Sequence, residues 1–126
     1  MELIEVDRLR HIEGYSQRRA QNIRKTIQKD GVWKRPLCIE RTHLLVLDGQ
    51  HRLEAARSLG MRLVPCQMFD YDEVEVWSLR SNHEVTRELV IAKALRGDIY
   101  PYKTAKHRFP RDVEALAIPL AELRRA

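Results

Sequence analysis

Five consecutive residues, Asp48-Gly49-Gln50-His51-Arg52, carry the chemistry most readily read from this chain. They follow the apolar run Leu44-Leu45-Val46-Leu47 and lead into Leu53-Glu54-Ala55-Ala56, so a buried strand turns at Gly49 and enters a helix. The first N–H groups of a helix have no internal partner and sit at the positive end of its dipole. That geometry binds phosphate or another anion. Gly49 would let the backbone approach closely, and Arg52 would add a charge-assisted bond. Asp48, at the strand's end, is placed to hold a magnesium ion that bridges phosphate oxygens. The plainer alternative is that Asp48 caps the helix and Gly49 turns the chain; His51 and Arg52 on the same first turn favour function.

The charge distribution suits an anionic ligand. Lys and Arg total 23 against 18 acids, a formal net charge of +5. Between Asp7 and Arg35 nine basic residues face three acids, and Lys103, Lys106, Arg108 and Arg111 form a second basic stretch. Asp70, Asp72, Glu73 and Glu75 make an acidic island between them, which counts against a surface for duplex nucleic acid. Glu13 alone reads as a surface acid before a helix.

The elements that must position these groups follow from periodicity and punctuation. Leu3, Ile4 and Val6 predict a short first strand, followed by a polar turn over His11–Gly14. Ser16 is a plausible cap for a helix over about 17–29, with Ala20, Ile23 and Ile27 on its apolar stripe and Gly31 as its stop. Strands over 37–40 and 44–47 read as a hairpin through Arg41-Thr42-His43. A helix over 51–59 ends at Gly60, and 63–69 reads as a strand whose Pro65 demands an edge position or a bulge. Residues 74–79 suit a strand, with a helix as the alternative. A helix over 84–96 would turn Val85, Leu89, Ala92 and Leu95 inward; 98–110 reads as a basic loop, and 118–123 docks back on the core.

Length and composition exclude several classes. The 126 residues are 44% hydrophobic and 33% charged, the make-up of one compact α+β domain spanning 1–126. At 6% aromatic content, stacking platforms for single-stranded nucleic acid are not expected. No apolar run approaches the roughly 20 residues of a bilayer span. The opening MELIEVDRLR has acids where a secretory signal carries apolar residues, so the reading is cytoplasmic. Cys38 and Cys66 sit in separate apolar segments and read as buried thiols. His11, His43 and His83 lack ligand spacing, Trp33 and Trp77 read as core or pocket wall, and Ser16 and Ser58 lack a nucleophile's neighbours.

Asp48-Gly49-Gln50-His51-Arg52, with Ala55-Ala56, Leu59-Gly60 and Val64-Pro65 behind it, resembles the ParB/sulfiredoxin-like superfamily. The likeness extends upstream, where a basic helix leads through Trp33-Lys34-Arg35-Pro36 into the strand pair. It implies a small mixed sheet flanked by helices. Sulfiredoxins carry a catalytic cysteine where this chain has Gln50, and ParB proteins show Gly-Glu-Arg-Arg in place of Gly49-Gln50-His51-Arg52. Kinases of free L-serine are the most similar branch. They share Asp-Gly-x-His-Arg, a glutamate before the first helix at the position of Glu13, and a distal motif that here reads Pro101-Tyr102-Lys103-Thr104-Ala105-Lys106-His107. Their common Thr-Thr-Arg-His becomes Thr104-Ala105-Lys106-His107, which replaces a bidentate guanidinium with a point charge. A pocket tryptophan of some members is offset, with Leu79 near its place and Trp77 two residues earlier.

The resemblance implies a phosphoryl transfer from ATP or ADP to the hydroxyl of free L-serine or a similar hydroxy amino acid, with Mg2+. Glu13 would be the general base, its pKa raised by partial burial, and Asp48 would orient the metal or the hydroxyl. Gly49, Gln50, His51 and Arg52 would clamp the donor phosphates. Lys103, Thr104, Lys106 and His107 would hold the acceptor, with His107 neutral beside two lysines. Asp70, Asp72 or Glu75 would meet the acceptor's ammonium, and Lys34 would either reach the site or be solvated. The alternative is a non-catalytic nucleotide- or DNA-binding module of the ParB type.

Overall fold

In a computed structural model, residues 1–124 are described. In chain order they form strand β1 (Glu2–Glu5), β2 (Arg10–His11), helix α1 (Gln17–Asp30), β3 (Val32–Trp33), β4 (Leu37–Glu40), β5 (Leu45–Asp48), α2 (Gln50–Ser58), β6 (Leu63–Phe69), β7 (Glu75–Ser78), α3 (Arg87–Arg96), β8 (Ala105–Arg108), β9 (Ile118–Pro119) and α4 (Leu120–Arg124). The main sheet is mixed, in the order β1-β6-β4-β5-β2. β1 and β6 pair antiparallel, as do β4 and β5, while β4 with β6 and β2 with β5 are parallel. Two smaller sheets pair β3 with β9 and β7 with β8.

β4 is buried along its whole length, and its side chains alternate between two apolar clusters. Leu37 and Ile39 join Val46, Leu53, Val64 and Leu123 on one face; Cys38 joins Leu45, Phe69, Val74 and Val90 on the other. A strand covered on both faces needs this continuous apolar character. Cys38 and Cys66 are free, buried thiols, held well above the usual range by burial first of all, to about 11 and about 12.

The local signals explain most element ends. Ser16 Oγ accepts from the Arg19 N–H at 3.2 Å and starts α1, and Gly31 stops it in the left-handed region at φ 71°. Glu40 is buried at the hairpin and accepts from the Thr42 and His43 N–H groups, tying down a turn in which Leu44 takes φ 57°. Pro65 lies in a strand that is second from the sheet's edge. It is tolerated because β4 begins at Leu37 opposite Cys66, so Pro65 has a neighbour only in β1. The C-terminal segment docks as expected, burying Leu120 and Leu123.

Four expectations are corrected. The 98–110 stretch is not all loop: residues 105–108 form β8, with Ala105 and His107 inward and Lys106 and Arg108 outward. α3 starts only after its cap Thr86, whose side chain accepts from the Leu89 N–H. Its buried face is Val90 and Ala94, while Leu95 is 47% exposed. Trp33 is core, but Trp77 is 41% exposed. No helix among the described residues is long and apolar enough to cross a membrane.

Candidate active site

β5 delivers Asp48 to the rim of a cleft of about 580 Å³, and α2 begins one residue later. Gly49 makes this turn with φ 114°, a conformation that disfavours any side chain. A Cβ there would also lie 2.5 Å from Leu37 Cδ2. The first intrahelical bond of α2 runs from the Leu53 N–H to the Gly49 carbonyl, so the N–H groups ahead of it are not used within the helix.

Two distant segments complete the cleft. Residues 12–14 and 100–105 are laced together: the Gly14 N–H donates to the Tyr100 carbonyl and the Tyr100 N–H to the Ile12 carbonyl. Between them, Glu13 Oε2 accepts from the N–H groups of Thr104 and Ala105 at 2.9 and 3.0 Å. Burial raises the Glu13 pKa, outweighing those two bonds and the charge of Arg80. Tyr102 is fixed at both ends, its hydroxyl accepting from Arg19 and its carbonyl from Arg80. Lys103 follows at φ 58°.

The expected residues divide by where their side chains go. Glu13, Asp48, Gly49, His51, Arg52, Lys103, Lys106 and His107 all line the cleft. Asp48 is half exposed, with Oδ2 3.5 Å from the Arg52 guanidinium. Arg52 also donates to the carbonyls of Arg35 and Pro36 at 2.8 Å, which fixes it as a cation at the mouth of the turn. Gln50 touches the cleft, but its side chain is buried and donates to the Val46 carbonyl. Thr104 is fully buried; its hydroxyl donates to the Pro101 carbonyl, so only its backbone works, through Glu13.

The two cleft histidines are neutral for traceable reasons. His51 Nε2 accepts from the Ser16 N–H at 3.0 Å, which places the ring proton on Nδ1. Burial, with Arg19, His11 and Lys103 nearby, pushes its pKa below the usual range. His107 is lowered to about 4, chiefly by burial, with Lys106 a minor contributor; lysine neighbours alone do not account for its neutrality. Its Nε2 shares a hydrogen bond with the Tyr71 hydroxyl at 2.8 Å. The buried Nδ1 meets no partner at hydrogen-bond geometry among the described residues, though the nearby Leu47 carbonyl acts to raise the pKa against burial.

Sequence reasoning missed Arg19, Arg35 and Tyr102. Arg19 and Arg35 sit within the basic run, but only the packing of α1 and of the turn between β3 and β4 shows which of its cations face the cleft. The acidic island turns away: Asp70, Glu73 and Glu75 pair with Arg41, Arg111 and Arg108, and none of the island lines the cleft. Lys34 pairs with Asp30 at 3.3 Å and does not reach it either. The lining is thus cationic, with Arg19, Arg35, Arg52, Lys103 and Lys106 against Glu13 and Asp48.

No protein-family model matches this chain, and no curated protein matches its sequence. Solved structures do match its fold. A free serine kinase in complex with AMP superposes with a TM-score of 0.88 at 15% identity, over 97% of this chain and 92% of that one. SbnI with a C-terminal truncation, from Staphylococcus aureus, gives 0.87 at 13% identity over 98% and 88%. A conserved hypothetical protein from Pyrococcus furiosus gives 0.73 at 13% identity over 97% and 96%. The chain therefore has an α+β fold, and it is the fold seen in a free serine kinase.

Proposed function

We propose that this chain, 1–126 as a single domain, is a kinase that moves the terminal phosphoryl group of ATP or ADP to the hydroxyl of free L-serine. The observation that carries the reading is one cleft in which a half-buried carboxylate, Glu13, faces a strand-Asp-Gly-helix turn ringed by five cations. The fold shared with a free serine kinase supports it, and so do the AMP and ADP bound in such kinases. AMP is what ADP becomes on giving up its terminal phosphoryl group, which favours ADP as donor.

Phosphoryl transfer asks chiefly for positioning and charge neutralisation. The α2 N–H groups and Arg52 would hold the donor phosphates, and Lys103 and Lys106 would gather the transferring group or the acceptor's carboxylate. Glu13 would take the serine hydroxyl proton as that oxygen bonds to phosphorus. The bond from phosphorus to the donor's bridging oxygen breaks, and the shortened nucleotide leaves. A carboxylate with a raised pKa, already aimed by two N–H donors, suits that task.

Among the described residues no cluster of three or more His, Cys, Asp or Glu forms a ready-made metal site. Mg2+ fits this arrangement in another way, because it commonly takes one protein carboxylate and completes its shell with phosphate oxygens and water. Asp48, half exposed at the cleft, is the residue that would hold it. Bound there, the ion would neutralise phosphate charge. Replacing Glu13 with Gln keeps an acceptor for the two N–H groups but removes the base, so kcat should fall by more than about 100-fold. Turnover within a few-fold of wild type would remove Glu13 from the mechanism.

A further inference from the structure

Beneath the cleft, His11 forms a junction that the mechanism above does not use. It lies on β2, two residues before Glu13, with its side chain only 14% exposed. Its Nδ1 is 2.5 Å from Gln50 Oε1, and its Nε2 is 2.6 Å from Glu54 Oε2. The Gln50 amide is oriented by its own donation to the Val46 carbonyl, which leaves Oε1 toward the ring. Both ring nitrogens therefore meet acceptors. A neutral imidazole has one N–H and one lone pair, and the lone pair would point straight at an oxygen.

The surroundings hold an ionised carboxylate against the ring. Burial alone would raise the Glu54 pKa, but bonds from His11 and Tyr15, with Arg57, bring it below the usual range. Glu54 accepts from the Tyr15 hydroxyl at 3.0 Å and from Arg57 at 2.6 Å. The His11 ring stacks on Tyr15 at 5.1 Å, and Tyr15 meets His51 edge-on at 6.3 Å. The charged groups about the ring are thus Glu54 and Arg57, both from α2, with Tyr15 and His51 as the other titratable neighbours.

We infer that His11 is a positioning residue, an imidazolium bridging Gln50 and Glu54 that fixes the 11–16 segment, and with it Glu13, against the first turn of α2. It fits the layout of the segment, which touches α2 at three successive points: His11, Tyr15 and the Ser16 N–H on His51. Glu13 lies inside that span and reaches Thr104 and Ala105 from it. The inference rests on the reading of Glu13 as the working carboxylate of the cleft.

The test begins with long-range proton–nitrogen spectra of the wild-type protein at neutral pH, which report each histidine's protonation without any variant. His11 should show two protonated nitrogens, while His51 and His107 show one each. In His11→Gln, amide exchange at Thr104 and Ala105 should quicken by about tenfold or more, the cost of loosening one charge-assisted bond. Exchange at Ile39 and Met68, in the central strands, should not change. With ADP or ATP and L-serine, kcat should drop about tenfold or more while the nucleotide KM holds, because misplacement costs rate before affinity. A singly protonated His11, or unchanged exchange at Thr104 and Ala105, overturns the inference. If the spectra and exchange behave as expected and wild-type protein transfers no phosphoryl group, the kinase reading fails and the junction stands.

Discussion

Glu13 and His107 are held in opposite ways by the same cause, burial, and their effects on stability have opposite signs. Glu13 has a raised folded-state pKa, so its ionised form costs stability as pH rises through that value. Glu13→Gln should therefore unfold at the same or a higher temperature than wild type even as turnover is lost; a clear drop in melting temperature would mean the carboxylate is structural. His107 has a folded-state pKa lowered from 6.5 to about 4. Its stabilising contribution is complete above about pH 6.5 and is lost as pH falls toward 4, on the order of 3 kcal/mol across that range. Urea unfolding at pH 7, 5.5 and 4.5 should show the decline, and His107→Gln should flatten it. A profile equally steep in the variant would place the acid sensitivity elsewhere.

At the scale of elements, the β5–Gly49–α2 turn is where local conformation and site geometry are least separable. A side chain at Gly49 meets both φ 114° and the Leu37 Cδ2 atom, and lies 3.2 Å from Arg52 Nη2. Gly49→Ala should cost about 1–3 kcal/mol in chemical denaturation and weaken nucleotide binding with it; an unchanged midpoint would show that the turn relaxes freely. This element was legible in the sequence because an apolar run, a glycine and a helix start coincide there. β8 was not, because Ala105-Lys106-His107-Arg108 has a strand's alternation but little β-favouring character, and it exists through pairing with β7. The inward face of α3 was misread for a related reason: Leu89 and Leu95 are apolar, yet packing selects Val90 and Ala94, while Val85, ahead of the helix, does pack against the core. Likewise, the spacing of Gln50 and Thr104 places them at the site, but only the fold shows that their side chains turn inward and leave their backbones to work.

At the scale of the molecule, a basic helix, a strand–turn–helix and a distal basic segment converge from sequence positions nearly ninety residues apart. The cleft they form concentrates cations, while Asp70, Glu73 and Glu75 of the acidic island pair with arginines away from it. Such a field draws an anion to one place rather than coating the protein for duplex binding. Phosphorus NMR reads the proposed phosphoryl transfer directly. Purified protein with Mg2+ and L-serine, given ADP or ATP in separate samples, should produce a phosphomonoester signal that requires serine and disappears with Glu13→Gln. Donor resonances unchanged in both samples, and again with homoserine and threonine as acceptors, would contradict it.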